Sequence, residues 1–129
     1  MSIPQPSTEK PGLFTAVGII TLVSGVINIL YGLGLTIGIV LGTLGIGLLC
    51  APVTIMPAVL GIFEILYGVK LLANPPRSPL QPSQAIAILE IACILTGNVL
   101  STVAGILALV FYGDPAVKAY FVKINSGSA

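Results

Sequence analysis

GVINILYG, residues 25–32, returns as GIFEILYG at residues 61–68. Both copies keep the two glycines and the ILYG ending, and Asn28 of the first stands where Glu64 stands in the second. With an offset of 36, Val17, Ile19, Val23, Gly25, Ile29, Leu30, Tyr31, Gly32 and Leu35 align with identical residues. The match reads as an internal repeat, a duplicated two-helix hairpin. If the phrases fall on the first and third of four spans, the copies run the same way, as in parallel-repeat membrane proteins.

Composition decides the solvent around these phrases. Hydrophobic residues make up 56% of the 129 and charged residues only 7%, with mean hydropathy +1.11. A soluble domain carries about 25% charged residues to meet water. The expected partner is therefore a lipid bilayer. A formal net charge of +1 supplies no basic field for nucleic acid.

Crossing a hydrocarbon core takes about 20 helical residues. In lipid, backbone groups must bond within their own segment, so these runs are helices. The reading is all-α: a tail at 1–12, a bundle at 13–112 and a terminal segment at 113–129. The spans fall at about 13–31, 35–50, 52–73 and 84–112. The glycines of YGLGLT, residues 31–36, mark a turn between the first two. Pro52 opens the third span at a first-turn position, and Pro57 kinks it near Val53. The 1–12 segment lacks the basic start of a cleaved signal and reads as disordered. Asp114 and Pro115 form an N-cap and first helical position. Val117, Tyr120, Phe121 and Ile124 then recur at helical spacing, so the segment is either a short helix lying at a membrane surface or a frayed tail. Lys10, Lys118 and Lys123 lie on one side of a four-span layout, Lys70 and Arg77 on the other. The positive-inside bias favours cytoplasmic termini in a plasma or cytoplasmic membrane.

Small residues permit close helix contact in lipid. Gly18, Gly25 and Gly32 recur each heptad in the first span, and Gly61 and Gly68 in the third. Gly34, Gly38 and Gly42 make a GxxxGxxxG ladder in the second, and Gly97, Ser101 and Gly105 a similar stripe in the fourth. Glu64, three after Gly61 and four before Gly68, shares their face. Asn28 stands in the same relation to Gly25 and Gly32, and Glu90 lies a heptad before Gly97. At the standard rise, Glu90 is about 9 Å and Glu64 about 14 Å from the 73–84 loop. A carboxylate facing lipid is costly, so a packed polar cluster of Asn28, Glu64 and Glu90 is expected. Such a cluster either fixes helix register through hydrogen bonds or serves as a proton or cation site.

No histidine is present, which removes His-based catalysis and most transition-metal sites. Ser24, Ser101, Thr21, Thr96 and Thr102 read as small or back-bonding residues rather than nucleophiles. Cys50 and Cys93 read as apolar packing residues. No catalytic, cofactor-binding or metal-binding residues are expected, and no cofactor.

The first span, VGIITLVSGVINILYGLGL, resembles the opening helix of the membrane-spanning four-domain family through Gly18, Gly25 and Gly32. That tetraspan group includes the B-lymphocyte four-pass surface antigen. Asn98, Ser101, Ala104, Gly105, Ile106 and Leu107 follow the order of its fourth helix. Thr21 stands where that family often has Gln, and Glu64 and Glu90 depart from its pattern. The resemblance implies a four-pass helical protein that forms dimers or larger complexes. The expected function is accordingly a structural or assembly subunit, a scaffold acting as a homo-oligomer or with other membrane proteins. The alternative is an ion- or proton-coupled transport subunit using Glu64 and Glu90.

Overall fold

The computed structural model describes residues 10–73 and 80–125, all helix and connecting turns. The helices are α1 (Gly12–Gly42), α2 (Ala51–Thr54), α3 (Met56–Leu72), α4 (Gln84–Ala92), α5 (Val99–Tyr112) and α6 (Pro115–Asn125), with 3-10 turns at Ile46–Cys50 and Cys93–Thr96. Two helices are long and apolar enough to cross a membrane, Gly12–Gly42 and Ile46–Leu72, or three if the bent pair α5–α6 counts as one. The four expected spans do not coincide with these elements. The tail at 1–9 and the centre of the 73–84 loop, Arg77 included, lie outside the described residues.

The break expected at residues 31–36 is not there. α1 runs through YGLGLT for 31 residues, about 46 Å at the standard rise. Each of its glycines lacks side-chain reach but keeps its N–H, so the hydrogen-bond ladder continues. The chain turns at Thr43–Gly45 instead, where Leu44 (φ 53°) and Gly45 (φ 94°) are left-handed and the Gly45 N–H bonds the Val40 carbonyl at 2.7 Å. The returning helix breaks at Ile55. Pro57 has no N–H for the Val53 carbonyl, so the expected disturbance falls in its place.

α1 and α3 therefore lie antiparallel, and the two copies of the repeat face each other. A Cβ on Gly25 would stand 2.7 Å from the Gly61 carbonyl oxygen, and one on Gly61 would press on the Gly25 carbonyl. Ile65 packs on Gly25 as Ile29 packs on Gly61, each at 2.9 Å from that Cβ position. Further out, Gly32 meets the Ala58 backbone as Gly68 meets that of Leu22. Each pair maps onto the other when 36 is added to one residue and taken from its mate. The repeat is thus inverted about a pseudo-dyad through Gly25 and Gly61, and the expected parallel arrangement is overturned. A direct turn after α1 made the second copy part of the returning helix of the same hairpin.

The expected fourth span is two short helices. α4 and its 3-10 turn end at Gly97 (φ 83°), and α5 returns antiparallel from Asn98. Gly105 sits against the Ala87 carbonyl, with Glu90 and Ile91 beside it. This second hairpin enters from the end where α1 begins and α3 finishes. It reaches only to the level of Tyr31, whose hydroxyl donates to the Thr96 carbonyl.

α6 turns 76° from α5, with the Asp114 carboxylate accepting from the Ala116 N–H at 2.9 Å as an N-cap. Val117, Tyr120, Phe121 and Ile124 are buried against Phe14, Leu71, Leu80 and Tyr112. The ring of Phe14 lies 4.7 Å from that of Tyr120 and 4.8 Å from that of Phe121. The expected lipid-facing stripe thus packs on the protein's own core. Beside it, Lys10 donates to the Leu71 and Ala73 carbonyls at 2.8 and 3.0 Å, capping α3, and burial lowers the pKa of its ammonium. Lys10, Lys70, Lys118 and Lys123 consequently share one end, which corrects the two-sided distribution expected from four spans. Residues 11–63, the opposite turn included, carry no charge.

Gly25→Ala and Gly61→Ala are expected to lower the thermal midpoint in mild detergent, followed by circular dichroism. Gly34→Ala, which meets nothing within 4 Å, should hold or raise it, since Ala favours a helix interior by about 1 kcal/mol. Equal losses at all three positions would contradict the backbone contact.

Candidate functional site

The pseudo-dyad brings Asn28 and Glu64, equivalent residues of the two copies, into direct contact. The Asn28 amide donates to Glu64 Oε2 at 2.7 Å and to Ser101 Oγ at 2.9 Å. Its own oxygen accepts from the Asn98 amide. The Ser24 hydroxyl donates to Glu64 Oε1 at 3.0 Å. Asn98 in turn caps α5, accepting from the Ser101 N–H at 3.2 Å. Asn28 and Glu64 are both wholly buried. Polar groups from α1, α3 and α5 thus meet halfway along α1 in an otherwise apolar interior.

Glu90 joins them from α4 on different terms. It is 1% exposed, and neither carboxyl oxygen has a hydrogen-bond partner. Glu64 and Ser24 are its polar neighbours, yet neither closes a hydrogen bond with it. The expected cluster of Asn28, Glu64 and Glu90 therefore assembles, with two hydrogen-bonded members and one without partners.

Three of its residues, Ser24, Asn98 and Ser101, were not expected in the polar cluster, and a fourth residue, Tyr67, was not expected to position the hairpin beside it. Ser24 looked like a back-bonding serine, but its hydroxyl goes to Glu64. Asn98 and Ser101 carried only a family resemblance and a packing role. They reach Asn28 because Gly97 turns the chain where a single straight span was expected. Gly97 accordingly leaves the packing stripe and becomes the left-handed corner. Tyr67 was visible only as part of the repeated phrase. Its hydroxyl donates to the Gln81 carbonyl and accepts from the Ser83 N–H at 3.0 Å. Its counterpart Tyr31 holds Thr96, so the duplicated tyrosines pin the two ends of the α4 segment. The repeat thus shapes the hairpin as well as the α1–α3 seam.

The glycines divide sharply. Gly18, Gly25, Gly32, Gly61, Gly68 and Gly105 each meet another helix, whereas Gly34, Gly38 and Gly42 meet nothing within 4 Å. An apolar cleft of about 310 Å³ opens between α3 and α4, lined by Val53, Met56, Phe63, Leu89, Cys93 and Leu95 among others. Among the described residues, no group of three or more His, Cys, Asp or Glu is placed to hold a metal ion.

Comparison with protein-family models, curated proteins and solved structures gives no match to this chain.

Exchanging the partners tests the pair. Asn28→Glu alone sets two carboxyls face to face, and Glu64→Asn alone removes the acceptor of Ser24 and Asn28. The double exchange returns one acid and one amide across the dyad. Each single variant is expected to lose about 1–3 kcal/mol, the usual cost of a mismatched buried polar group. The double should lie nearer the parent than the two losses added, read by thermal unfolding in detergent. Strict additivity would break the proposed coupling.

Proposed function

We propose that this chain is an integral membrane protein acting as an assembly subunit, associating with further copies of itself through the outer face of α1. The observation carrying this reading is the open ladder of Gly34, Gly38 and Gly42. A glycine in a helix interior costs about 1 kcal/mol relative to alanine. Gly18, Gly25, Gly32, Gly61 and Gly68 each accept atoms of the facing helix, while these three present a smooth strip that no described residue covers. Small-xxx-small strips are how helices approach one another in lipid, where no hydrophobic force drives them together. The resemblance to a tetraspan family of complex-forming proteins points the same way.

Insertion fits the same reading. All described lysines gather at one end, and the turn at Thr43–Cys50 is apolar and uncharged, so it crosses a bilayer at little cost. The positive-inside rule then puts the lysine-bearing end, with α6, in the cytoplasm of a plasma or cytoplasmic membrane.

Two measurements check this. Gly38→Leu should convert an oligomer of the parent in mild detergent to monomer, with helical content unchanged. A monomeric parent, or association indifferent to Gly38→Leu, would defeat the reading. In sealed cells, a membrane-impermeant maleimide should reach exposed Cys50 from outside and leave buried Cys93 untouched. Labelling of Cys50 only after the cells are opened would reverse the orientation.

A further inference from the structure

We propose that Glu64 and Glu90 form an intramembrane proton-binding site that holds a single proton, with the acid on Glu90 and the carboxylate on Glu64. The hydrogen bonds assign the two forms. Glu64 receives a donor on each oxygen, the Ser24 hydroxyl at 3.0 Å and the Asn28 amide at 2.7 Å. Charge-assisted bonds of this kind hold an ionised carboxylate. Glu90 receives none, although it is 1% exposed. A carboxylate buried with neither a protein donor nor a counter-ion is far too costly, whereas the neutral acid is tolerated.

Among the described residues, nothing else in the surroundings balances two negative charges. Ser24 and Asn28 face the pair from α1, Glu64 itself from α3, and Ser101 from α5. The titratable groups that act on Glu90, or on which it acts, are Glu64, Cys93 and Tyr112. None is a cation, and residues 11–63 carry no charge at all. A hard metal cation is a poor occupant, because such ions take six or more oxygens. Here both Glu64 oxygens are already engaged, and the two acids do not line the cleft beside them. A proton requires neither space nor further ligands. On loading, a proton joins a Glu90 oxygen and the pair goes from two negative charges to one. On release, that O–H bond breaks and the proton passes to water or a buffer base.

Asn28 makes this a one-proton site. It occupies the place in the first copy that Glu64 has in the second, so the dyad presents an amide donor opposite the carboxylate. Glu90, from the α4–α5 hairpin outside the symmetry, is left as the group that carries the proton. This inference does not depend on the oligomer.

The chain contains only three glutamates, Glu9, Glu64 and Glu90, so carboxyl carbons can be counted. The test is NMR of the full chain in lipid nanodiscs at neutral pH, with its glutamate side-chain carboxyls ¹³C-labelled. One of the three signals is expected in the acid form and two in the carboxylate form. Glu9→Gln should remove one carboxylate signal and leave one of each. Glu90→Gln should abolish the acid signal and Glu64→Gln should spare it. Three carboxylate signals, two acid signals, or an acid signal lost with Glu64→Gln instead of Glu90→Gln would each overturn the proposal. If Glu90→Gln does not fold, the count in Glu9→Gln decides alone: any result other than one acid and one carboxylate refutes it.

Discussion

Everything else in this fold is hung on the approach of two backbones at Gly25 and Gly61. No side chain fits between them, so α1 and α3 meet carbonyl against α-carbon, closer than helices with alanine at the seam could come. That distance brings a short amide and a carboxylate within hydrogen-bonding range across the dyad. It also lets the second hairpin lie on the same face of both helices. In lipid such packing is the main attraction available to helices. The Gly25–Ile65 and Gly32–Ala58 contacts repeat across the dyad as Gly61–Ile29 and Gly68–Leu22, whereas the polar centre of the seam is asymmetric.

The sequence displayed the seam but hid its direction. The heptad glycines and the repeated ILYG could be read directly, and both lie where contact occurs. Direction depended on where the chain turned. YGLGLT looks like a turn because glycine permits one, but a helix surrounded by apolar residues loses more by breaking than by continuing. The actual corner, Leu44–Gly45, lay in an equally glycine-rich run. A wrong corner reversed the relation of the copies, spread the lysines over two sides and supplied a span that does not exist. The same limit applies at Gly97, where one left-handed glycine converts an apparent span of 84–112 into a hairpin. Local composition does not distinguish a helical glycine from a corner glycine; tertiary packing does.

The polar cluster was legible for a related reason. Glu64 and Asn28 were tied to glycines by spacing along one helix, which survives any error in topology. Glu90 joined them through depth, and depth also survived because α4 still enters from the 73–84 loop. Ser24 and Asn98 were not assigned to the cluster because a serine or asparagine in an apolar helix has many uses. Only the turn at Gly97 shows why Asn98 stands at a helix start rather than in a helix middle.

That helix start matters electrostatically. The cluster has no lysine or arginine, yet Glu64 sits in it with two donors and an ordered amide network. α5 begins at Asn98, so its unpaired N–H groups and the positive end of its dipole lie toward the same centre, halfway along α1. Asn98 satisfies one of those groups with its oxygen and passes its amide hydrogens on to Asn28, whose own amide hydrogens reach Glu64. A chain of hydrogen bonds therefore runs from the start of α5 to the Glu64 carboxyl through neutral side chains alone. Had the hairpin been one straight helix, no helix N-terminus would have been available at that depth. The short, broken second hairpin is thus what allows an apolar chain to keep an acid at its centre without a basic partner.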